Sequence, residues 1–188
     1  GMLPHEIESV VRTVRTAVRA PLGIHAHNDS EAGVANSLAA VRAGATLIQG
    51  TINGYGERCG NANLCSIIPN LQIKMGLRVV TDRQLRSLTE TSRYIGEMAN
   101  LVPNEHLPYV GRAAFAHKGG VHVSAMQRHS GTYEHVAPAL VGNQRRILMS
   151  ELSGRANVIL KARELNVDFR RDATAAQKVL AAVKSLEH

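Results

Sequence analysis

Residues 22–49, LGIHAHNDSEAGVANSLAAVRAGATLIQ, contain the pattern that decides the fold of this chain. Leu22-Gly23-Ile24 starts a short apolar run typical of a buried strand, and Thr46-Leu47-Ile48-Gln49 predicts a second strand. A helical segment lies between the two runs, and three of its apolar residues share one face: Val34, Leu38 and Val41. We expect Gly44 to end this helix. A strand, a helix and a second strand in this order predict parallel strands covered by helices, which is an α/β fold.

Further helices flank this pattern on both sides. Apolar spacing predicts one helix over residues 5–19 and another from about residue 62 to residue 75. We expect Asp29 or Ser30 to cap the helix between the two strands. Two parallel strands do not make a stable sheet, because parallel sheets need several strands with both faces covered. We therefore expect residues 1–76 to be part of a larger α/β structure.

The pattern changes after Gly76, where no convincing strand is predicted and the sequence becomes mostly helical over residues 77–188. Thr81 and Gln84 have the spacing of a capping box, which predicts the start of a helix. One apolar stripe continues along that helix: Leu85, Leu88, Ile95 and Met98. Two more helices are predicted around residues 152–165 and after a capping Asp172. The inward-facing residues of the last helix are expected to be Val179, Val183 and Leu186.

Composition and charge exclude several classes of protein. The chain has 44% hydrophobic and 20% charged residues, which rules out an intrinsically disordered protein. Its formal net charge is +7, yet the basic residues are scattered and only 3% of residues are aromatic, so we expect no nucleic-acid binding. The basic excess instead suits a solvated surface or one that receives a polyanionic small molecule. No apolar run approaches the roughly 18 residues of a membrane-spanning helix, so we expect no membrane insertion.

The cysteine content and the first residues indicate the compartment. Cys59 and Cys65 form neither a disulfide framework nor a CxxC pair, which suits a reducing environment. The opening residues GMLPHEIESV lack the basic start and apolar centre of a secretory signal. We therefore expect a cytoplasmic protein.

The sequence His25-Ala26-His27-Asn28-Asp29 lies at the carboxyl end of the first predicted strand. Residues two apart in a strand point to the same side, so His25 and His27 can direct both imidazoles at one divalent metal ion. Functional sites of parallel α/β folds gather at this end of the strands. The alternative is a pair of surface histidines at a turn, with Asp29 capping the next helix.

A polar, glycine-rich segment, residues 53–62, follows the second predicted strand at the equivalent place. Glu57, Arg58 and Asn61 supply charge and oxygen there, and Asn61 offers a hard oxygen ligand for a metal held by two histidines. The alternative interpretation is a glycine-rich turn with a Glu57–Arg58 ion pair. Together with the two histidines, the segment favours a metal site.

Four sequence motifs resemble one family of enzymes. HAHND at 25–29 and GYGERCGNANL at 54–64 resemble the last two strand ends of the barrel in the 2-isopropylmalate, homocitrate and citramalate synthase family. FAHKGGVHVSA at 115–125 resembles the linker subdomain of the same family. YEHVAPALVGNQRRILMSELSGRANV at 133–158 is most similar to the citramalate synthase branch, which uses pyruvate.

The resemblance implies a fold and an activity. The fold is the C-terminal portion of a TIM (β/α)8 barrel over residues 1–76, followed by a mostly α-helical linker region over residues 77–188. The activity is a metal-dependent condensation of acetyl-CoA with a 2-oxo acid, with Mg²⁺, Mn²⁺ or Zn²⁺ as the metal. The family also has an Arg-Asp pair on its first barrel strand, which nothing before His25 matches. We therefore expect these residues to be inactive in isolation.

The resemblance also assigns roles to individual residues. The implied metal ligands are His25, His27 and Asn61, whereas Glu57 and Arg58 organise the floor of the site. His122 and Tyr133 resemble a histidine and a tyrosine of the family that act in catalysis from the linker of a partner subunit. A homodimer is therefore expected, and we expect the apolar stripes of the helical half to form its interface.

Two alternatives to a pyruvate-specific enzyme stay open. The first is a 2-isopropylmalate synthase acting on 2-oxoisovalerate, because the residues that select the 2-oxo acid are not recognised here. The second belongs to another class and is a non-catalytic dimerisation or linker module. Divalent-metal binding at HAHND distinguishes an enzyme from such a module.

Overall fold

The computed structural model describes residues 1–118, 125, 133–148, 155–167 and 174–186. The helices, in chain order, are α1 (Pro4–Ala17), α2 (Gly33–Ala43), α3 (Leu64–Pro69), α4 (Asp82–Arg86), α5 (Leu88–Met98), α6 (Arg155–Glu164) and α7 (Ala175–Leu186). The strands are β1 (Gly23–His25), β2 (Leu47–Gln49), β3 (Ala116–His117) and β4 (Arg146–Ile147). No described helix has the length and apolar content needed to cross a bilayer.

The α/β pattern predicted from residues 22–49 is confirmed. Strands β1 and β2 pair in parallel, with Ile24 opposite Ile48 and His25 opposite Gln49. Helix α2 connects them and ends at Gly44, whose φ of 108° is left-handed and therefore suits glycine. Because the strands are parallel, the segments that follow His25 and Gln49 leave the sheet at the same edge.

The start of α2 differs from the prediction. Asp29 and Ser30 do not cap the helix, which begins after Ala32. The Asn28 side chain acts there instead, because its Oδ1 accepts a hydrogen bond of 3.1 Å from Gly33 N. Asp29 is thus available for the ion pair described below.

The helix predicted over residues 62–75 contains an irregularity. It is regular as α3 through Pro69 and continues as a π-helical turn over Asn70–Lys74, where Met75 N donates to Asn70 O at 3.0 Å. Proline has no backbone N–H to donate, so the regular hydrogen-bond ladder is interrupted at this point.

The capping box at the start of the helical half is confirmed. Thr81 N donates to Gln84 Oε1 at 2.9 Å, and Gln84 N donates to Thr81 Oγ1 at 3.3 Å. The predicted single helix is divided at Ser87 into α4 and α5. Leu85 and Leu88 are each 4% exposed, so the idea that they form an open interface stripe is wrong.

A shared hydrophobic core explains the burial of Leu85 and Leu88. Both pack with Cys65 of α3, with Phe115 and with Val141, the last lying in a 3₁₀ turn over Pro138–Val141. The core therefore contains residues from both sides of Gly76. The boundary between residues 1–76 and 77–188 stays a prediction about domain organisation.

Strands β3 and β4 correct the prediction that the second half lacks strands. They pair in parallel over two residues each, and Arg146 N donates to Phe115 O at 3.0 Å. Strands of two residues are too short to show an alternating pattern in the sequence. Their pairing depends instead on contacts between residues about thirty positions apart. The predicted last two helices correspond to α6 and α7, whereas Leu152 and Asp172 lie outside the described residues.

Candidate metal centre

His25 and His27 lie together where β1 leaves the sheet. His25 is the last residue of the strand and is exposed, whereas His27 is half-buried. Their ring centroids are 5.1 Å apart, with an angle of 81° between the ring planes. The structure thus brings the two imidazoles to one side of the chain, as their alternate spacing predicts.

The segment that carries Asn61 is docked against this strand end. His27 and Asn61 form an antiparallel β-bridge. The flanking backbone hydrogen bonds are Ala62 N to Ala26 O and Asn28 N to Gly60 O, both of 2.9 Å. The sequence therefore correctly predicts that the segments following β1 and β2 lie against each other.

Glycine geometry makes this docking possible. Gly60 has φ of 88°, and a Cβ at this residue would collide with the carbonyl oxygen of Gly54. Asn61 N donates to the same carbonyl at 2.9 Å, so the segment folds back on itself over residues 54–61. A side chain at residue 60 would push Asn61 away from His27.

Two buried polar atoms of the bridged residues have no hydrogen-bond partner, and their chemistry indicates whether the site suits a cation. They are His27 Nδ1 and Asn61 Oδ1. The amide of Asn61 is fixed because its Nδ2 donates to Tyr55 O at 3.1 Å. An unsatisfied buried polar group costs about 1–3 kcal/mol. Imidazole nitrogen and amide oxygen both coordinate divalent ions, so the residues fit a metal.

The candidate ligands are nitrogen and amide oxygen rather than carboxylate. Among the described residues, no group of three or more His, Cys, Asp or Glu side chains is arranged to hold a metal ion. His25, His27 and Asn61 together leave coordination positions for other ligands. This arrangement is typical of a catalytic site rather than of a closed structural one.

Arg58 pairs with Asp29 and not, as the alternative interpretation of the sequence has it, mainly with Glu57. Arg58 Nε and its terminal nitrogen donate to the two Asp29 oxygens at 3.0 and 2.9 Å. The Arg58 hydrogen bond lowers the pKa of Asp29. This fork ties the 54–61 segment to the residues that follow His27.

Glu57 lies at the surface of the same segment. Its side chain is 82% exposed, and its distance to the Arg58 guanidinium is 4.0 Å. Cys59 is also exposed, whereas Cys65 is buried and both thiols are free. A role for Glu57 in the floor of the site stays a prediction.

The two catalytic candidates of the second half are located differently. His122 lies outside the described residues. Tyr133 is described and is 44% exposed, directly before the buried Glu134. Their roles therefore stay predictions.

A buried ion-pair cluster next to Tyr133 is not predicted from the sequence. Arg145 donates to both Glu134 oxygens at 2.6 Å, and His117 Nε2 lies 3.5 Å from Glu134 Oε1. The hydrogen bond from Arg145 lowers the pKa of Glu134 despite its burial. The cluster joins β3 and the residue directly before β4 to the residue beside Tyr133. The sequence gives no signal for this cluster, because its three residues do not have the spacing of neighbours on one helix or strand.

A second unpredicted contact fixes the other end of the polar segment. Asn53, at a left-handed φ of 63°, donates from Nδ2 to Ser92 O at 2.8 Å. Ser92 Oγ donates back to Asn53 Oδ1 at 2.5 Å. The segment is thus held by α5 at one end and by β1 at the other.

Two family profiles match nearly the whole chain. The HMGL-like family matches residues 1–95, and the homocitrate synthase post-HMGL domain-like family matches residues 109–188. The first match contains the candidate metal centre, and the second contains the Glu134 cluster.

Curated relatives agree with these matches. The chain is 55% identical to the (R)-citramalate synthase of Geobacter sulfurreducens and 50% identical to that of Aquifex aeolicus, in each case over 100% of this chain and 36% of the relative. It is 33% identical to the 2-isopropylmalate synthase of Methanocaldococcus jannaschii, over 98% of this chain and 36% of the relative. The chain thus spans about a third of the length of these relatives.

Proposed function

The chain belongs to the HMGL-like family, and from this premise we propose that it is part of an (R)-citramalate synthase. The whole protein would condense acetyl-CoA with pyruvate in the cytoplasm. The higher identity to the two citramalate synthases than to the 2-isopropylmalate synthase supports pyruvate over 2-oxoisovalerate as the 2-oxo acid. Both cysteines are free, which supports a reducing compartment.

We also propose that residues 1–76 form the C-terminal portion of a TIM barrel. The exposure of these elements supports this fold, because parallel strands are normally covered on both faces. Leu47 of β2 is 57% exposed, and no residue of α1 is buried although Val10 is apolar and 46% exposed. Additional strands and helices of a barrel would cover these surfaces.

One observation carries the proposed activity: His27 Nδ1 and Asn61 Oδ1 are buried without partners on bridged residues beside His25. These three residues would hold Mg²⁺, Mn²⁺ or Zn²⁺. When bound, such an ion supplies Lewis-acid polarisation of the ketone of the 2-oxo acid. The chain's own contribution is to fix the ligands before binding, through the Asn61–Tyr55 hydrogen bond and the Arg58–Asp29 fork.

His122 and Tyr133 are proposed to move protons in a partner subunit. Tyr133 is 44% exposed, which suits contact with such a partner, and the neighbouring Glu134 is held by its ion pair with Arg145. Met98 and Val179 remain exposed, at 69% and 38%, and are available for a homodimer interface. Leu85 and Leu88 do not contribute to this argument because they are buried.

Metal titration tests the proposed site directly. We expect one Mn²⁺ ion to bind per chain, and His27→Ala to weaken binding at least tenfold by removing a ligand. His106→Ala is the matched control, since His106 is an exposed histidine in a different loop. Calorimetry of the three proteins measures the affinities. Equal Mn²⁺ affinity for wild type and His27→Ala would contradict the proposal and favour a non-catalytic module.

Substrate choice is tested on the whole protein. We expect CoA release in the presence of acetyl-CoA to depend on pyruvate more strongly than on 2-oxoisovalerate. The reverse preference would support the 2-isopropylmalate synthase alternative. The metal titration is independent of this result, since His25, His27 and Asn61 serve either reaction.

A further inference from the structure

A cavity of about 490 Å³ is lined in part by Asn53, at the start of the segment that carries Asn61. Its walls come from α5, from the loop over residues 102–112 and from β4. This volume is within the range of small-molecule sites, roughly 300–1,000 Å³. The polar lining residues used below are Asn53, Ser92, Arg93, Glu105, Arg112 and Arg146.

The loop that forms one wall is held in a defined shape. Gly111 N donates to Leu107 O at 2.9 Å, and Ala113 N donates to Glu105 O at 2.8 Å. Asn143, which is 7% exposed, supports the loop because its Nδ2 donates to Tyr109 O at 2.9 Å and to Gly111 O at 3.0 Å. The cavity is therefore framed by hydrogen-bonded backbone.

The cavity has an excess of positive charge. It is lined by three arginines and one carboxylate, Glu105, which lies 3.6 Å from Arg112. Arg93 and Arg146 form no ion pair within the described part of the chain. Arg146 Nε is buried and has no hydrogen-bond partner. Two guanidinium groups that lack an ion-pair partner on the wall of one cavity favour an anionic ligand there.

Backbone pairing places Arg146 at the cavity. Arg146 N donates to Phe115 O at 3.0 Å in the ladder between β3 and β4, and the adjacent Ile147 is buried. Arg93 directly follows Ser92 on α5. The Ser92 hydroxyl donates a hydrogen bond to Asn53. The cavity and the metal-site segment thus share Asn53 as a wall residue.

We propose that this cavity binds a phosphate group of a small-molecule ligand. Phosphate offers several oxygens to guanidinium forks, and arginine binds it with paired hydrogen bonds. Apolar lining residues beside the arginines, Val102 and Leu107 among them, suit the non-phosphate part of such a ligand. The identity of the ligand rests on the proposed function, in which CoA is the phosphorylated compound.

Calorimetry with two probes, inorganic pyrophosphate and CoA, tests the proposal on this chain at low ionic strength. We expect Arg146→Gln and Arg93→Gln each to weaken binding about tenfold, as expected for loss of a charge-assisted hydrogen bond. Arg78→Gln is the matched control, since it removes one exposed positive charge away from the cavity. Its affinity should stay within about twofold of wild type, because distant charges are screened.

The outcomes separate the sources of phosphate. Binding of both probes, each weakened by the same two variants, identifies CoA as the ligand. Binding of pyrophosphate alone, with the same dependence on Arg93 and Arg146, identifies a free phosphate compound. Failure of wild type to bind either probe, or equal binding by all variants, overturns the proposal. Arg93 is exposed, so Arg93→Gln gives a result even where Arg146→Gln fails to fold. The Mn²⁺ titration of His27→Ala is unaffected by these results and tests the metal centre separately.

Discussion

Two regions of the molecule use the same arginine–carboxylate fork in different surroundings. Beside the candidate metal centre, Arg58 and Asp29 remain 52% and 39% exposed. Beside Tyr133, Arg145 is 41% exposed but Glu134 only 3% exposed. Exposed ion pairs contribute little to stability. Removing one member of a buried ion pair, in contrast, leaves the remaining charge buried without its partner, which is destabilising. The exposed fork therefore positions a segment, and the buried fork holds part of the fold together.

The largest expected effect comes from removing the arginine of the buried fork. We expect Arg145→Met to lower the free energy of unfolding by about 3 kcal/mol, because the buried Glu134 carboxylate then lacks its hydrogen-bond donor. Urea unfolding followed by circular dichroism measures the change. Arg83→Met is the control, since Arg83 is exposed on α4. Equal losses in the two variants would remove the distinction between the forks.

The pH dependence of stability sharpens this result. Arg145 lowers the pKa of Glu134 below its ordinary value of 4.5, and His117 faces the same carboxylate. Stabilisation by a lowered carboxylate pKa is complete above pH 4.5 and is lost as pH falls through the folded-state value. Without Arg145 the main cause of the lowered pKa is removed, so protonation of Glu134 destabilises the fold less. The stability difference between wild type and Arg145→Met should therefore narrow below pH 4.5.

An intermediate effect is expected from the glycine that shapes the metal-site segment. Gly60→Ala should cost about 2 kcal/mol, because a left-handed backbone and a collision with the Gly54 carbonyl both oppose a Cβ. Gly76→Ala is a matched control, since Gly76 has φ of 69° but a Cβ there would meet no atom within 4 Å. Urea unfolding of both variants isolates the collision as the difference between them. Equal costs would show that the segment adapts freely, and Mn²⁺ affinity should then survive in Gly60→Ala.

The smallest effect is expected from the exposed fork. Arg58→Gln should leave the urea midpoint unchanged, because water screens the pair and solvates each partner alone. A double-mutant cycle with Asp29→Asn measures the coupling between the two side chains. A coupling as large as that between Arg145 and Glu134 would show that exposure does not decide the contribution of these forks.

Periodicity in the sequence is sufficient to predict the structure wherever the determinants are local. The β1–α2–β2 unit, the end of α2 at Gly44 and the Thr81–Gln84 capping box all depend on residues a few positions apart. The neighbouring positions of His25 and His27 follow in the same way from their alternate spacing in a strand.

Contacts between residues that are distant in the sequence cannot be predicted from periodicity. Asp29 is suited by type to a helix cap, yet it pairs with Arg58, 29 residues later. The two-residue strands β3 and β4 and the Asn53–Ser92 hydrogen bond likewise depend on which segments the core brings together. The prediction of an exposed stripe at Leu85 and Leu88 is wrong because the sequence does not reveal that Phe115 covers them.

The different exposure of the two cysteines gives the metal-site segment a built-in attachment point for a spectroscopic label. Cys59 lies in that segment and is exposed, whereas Cys65 is buried, and burial raises the pKa of its thiol. Thiolate is the reactive form, so a maleimide dye at neutral pH modifies Cys59 selectively. The label would sit between Arg58 and Gly60, one residue from the glycine that allows Asn61 to bridge His27. Its fluorescence would then report metal loading of the chain in real time, without any engineered cysteine.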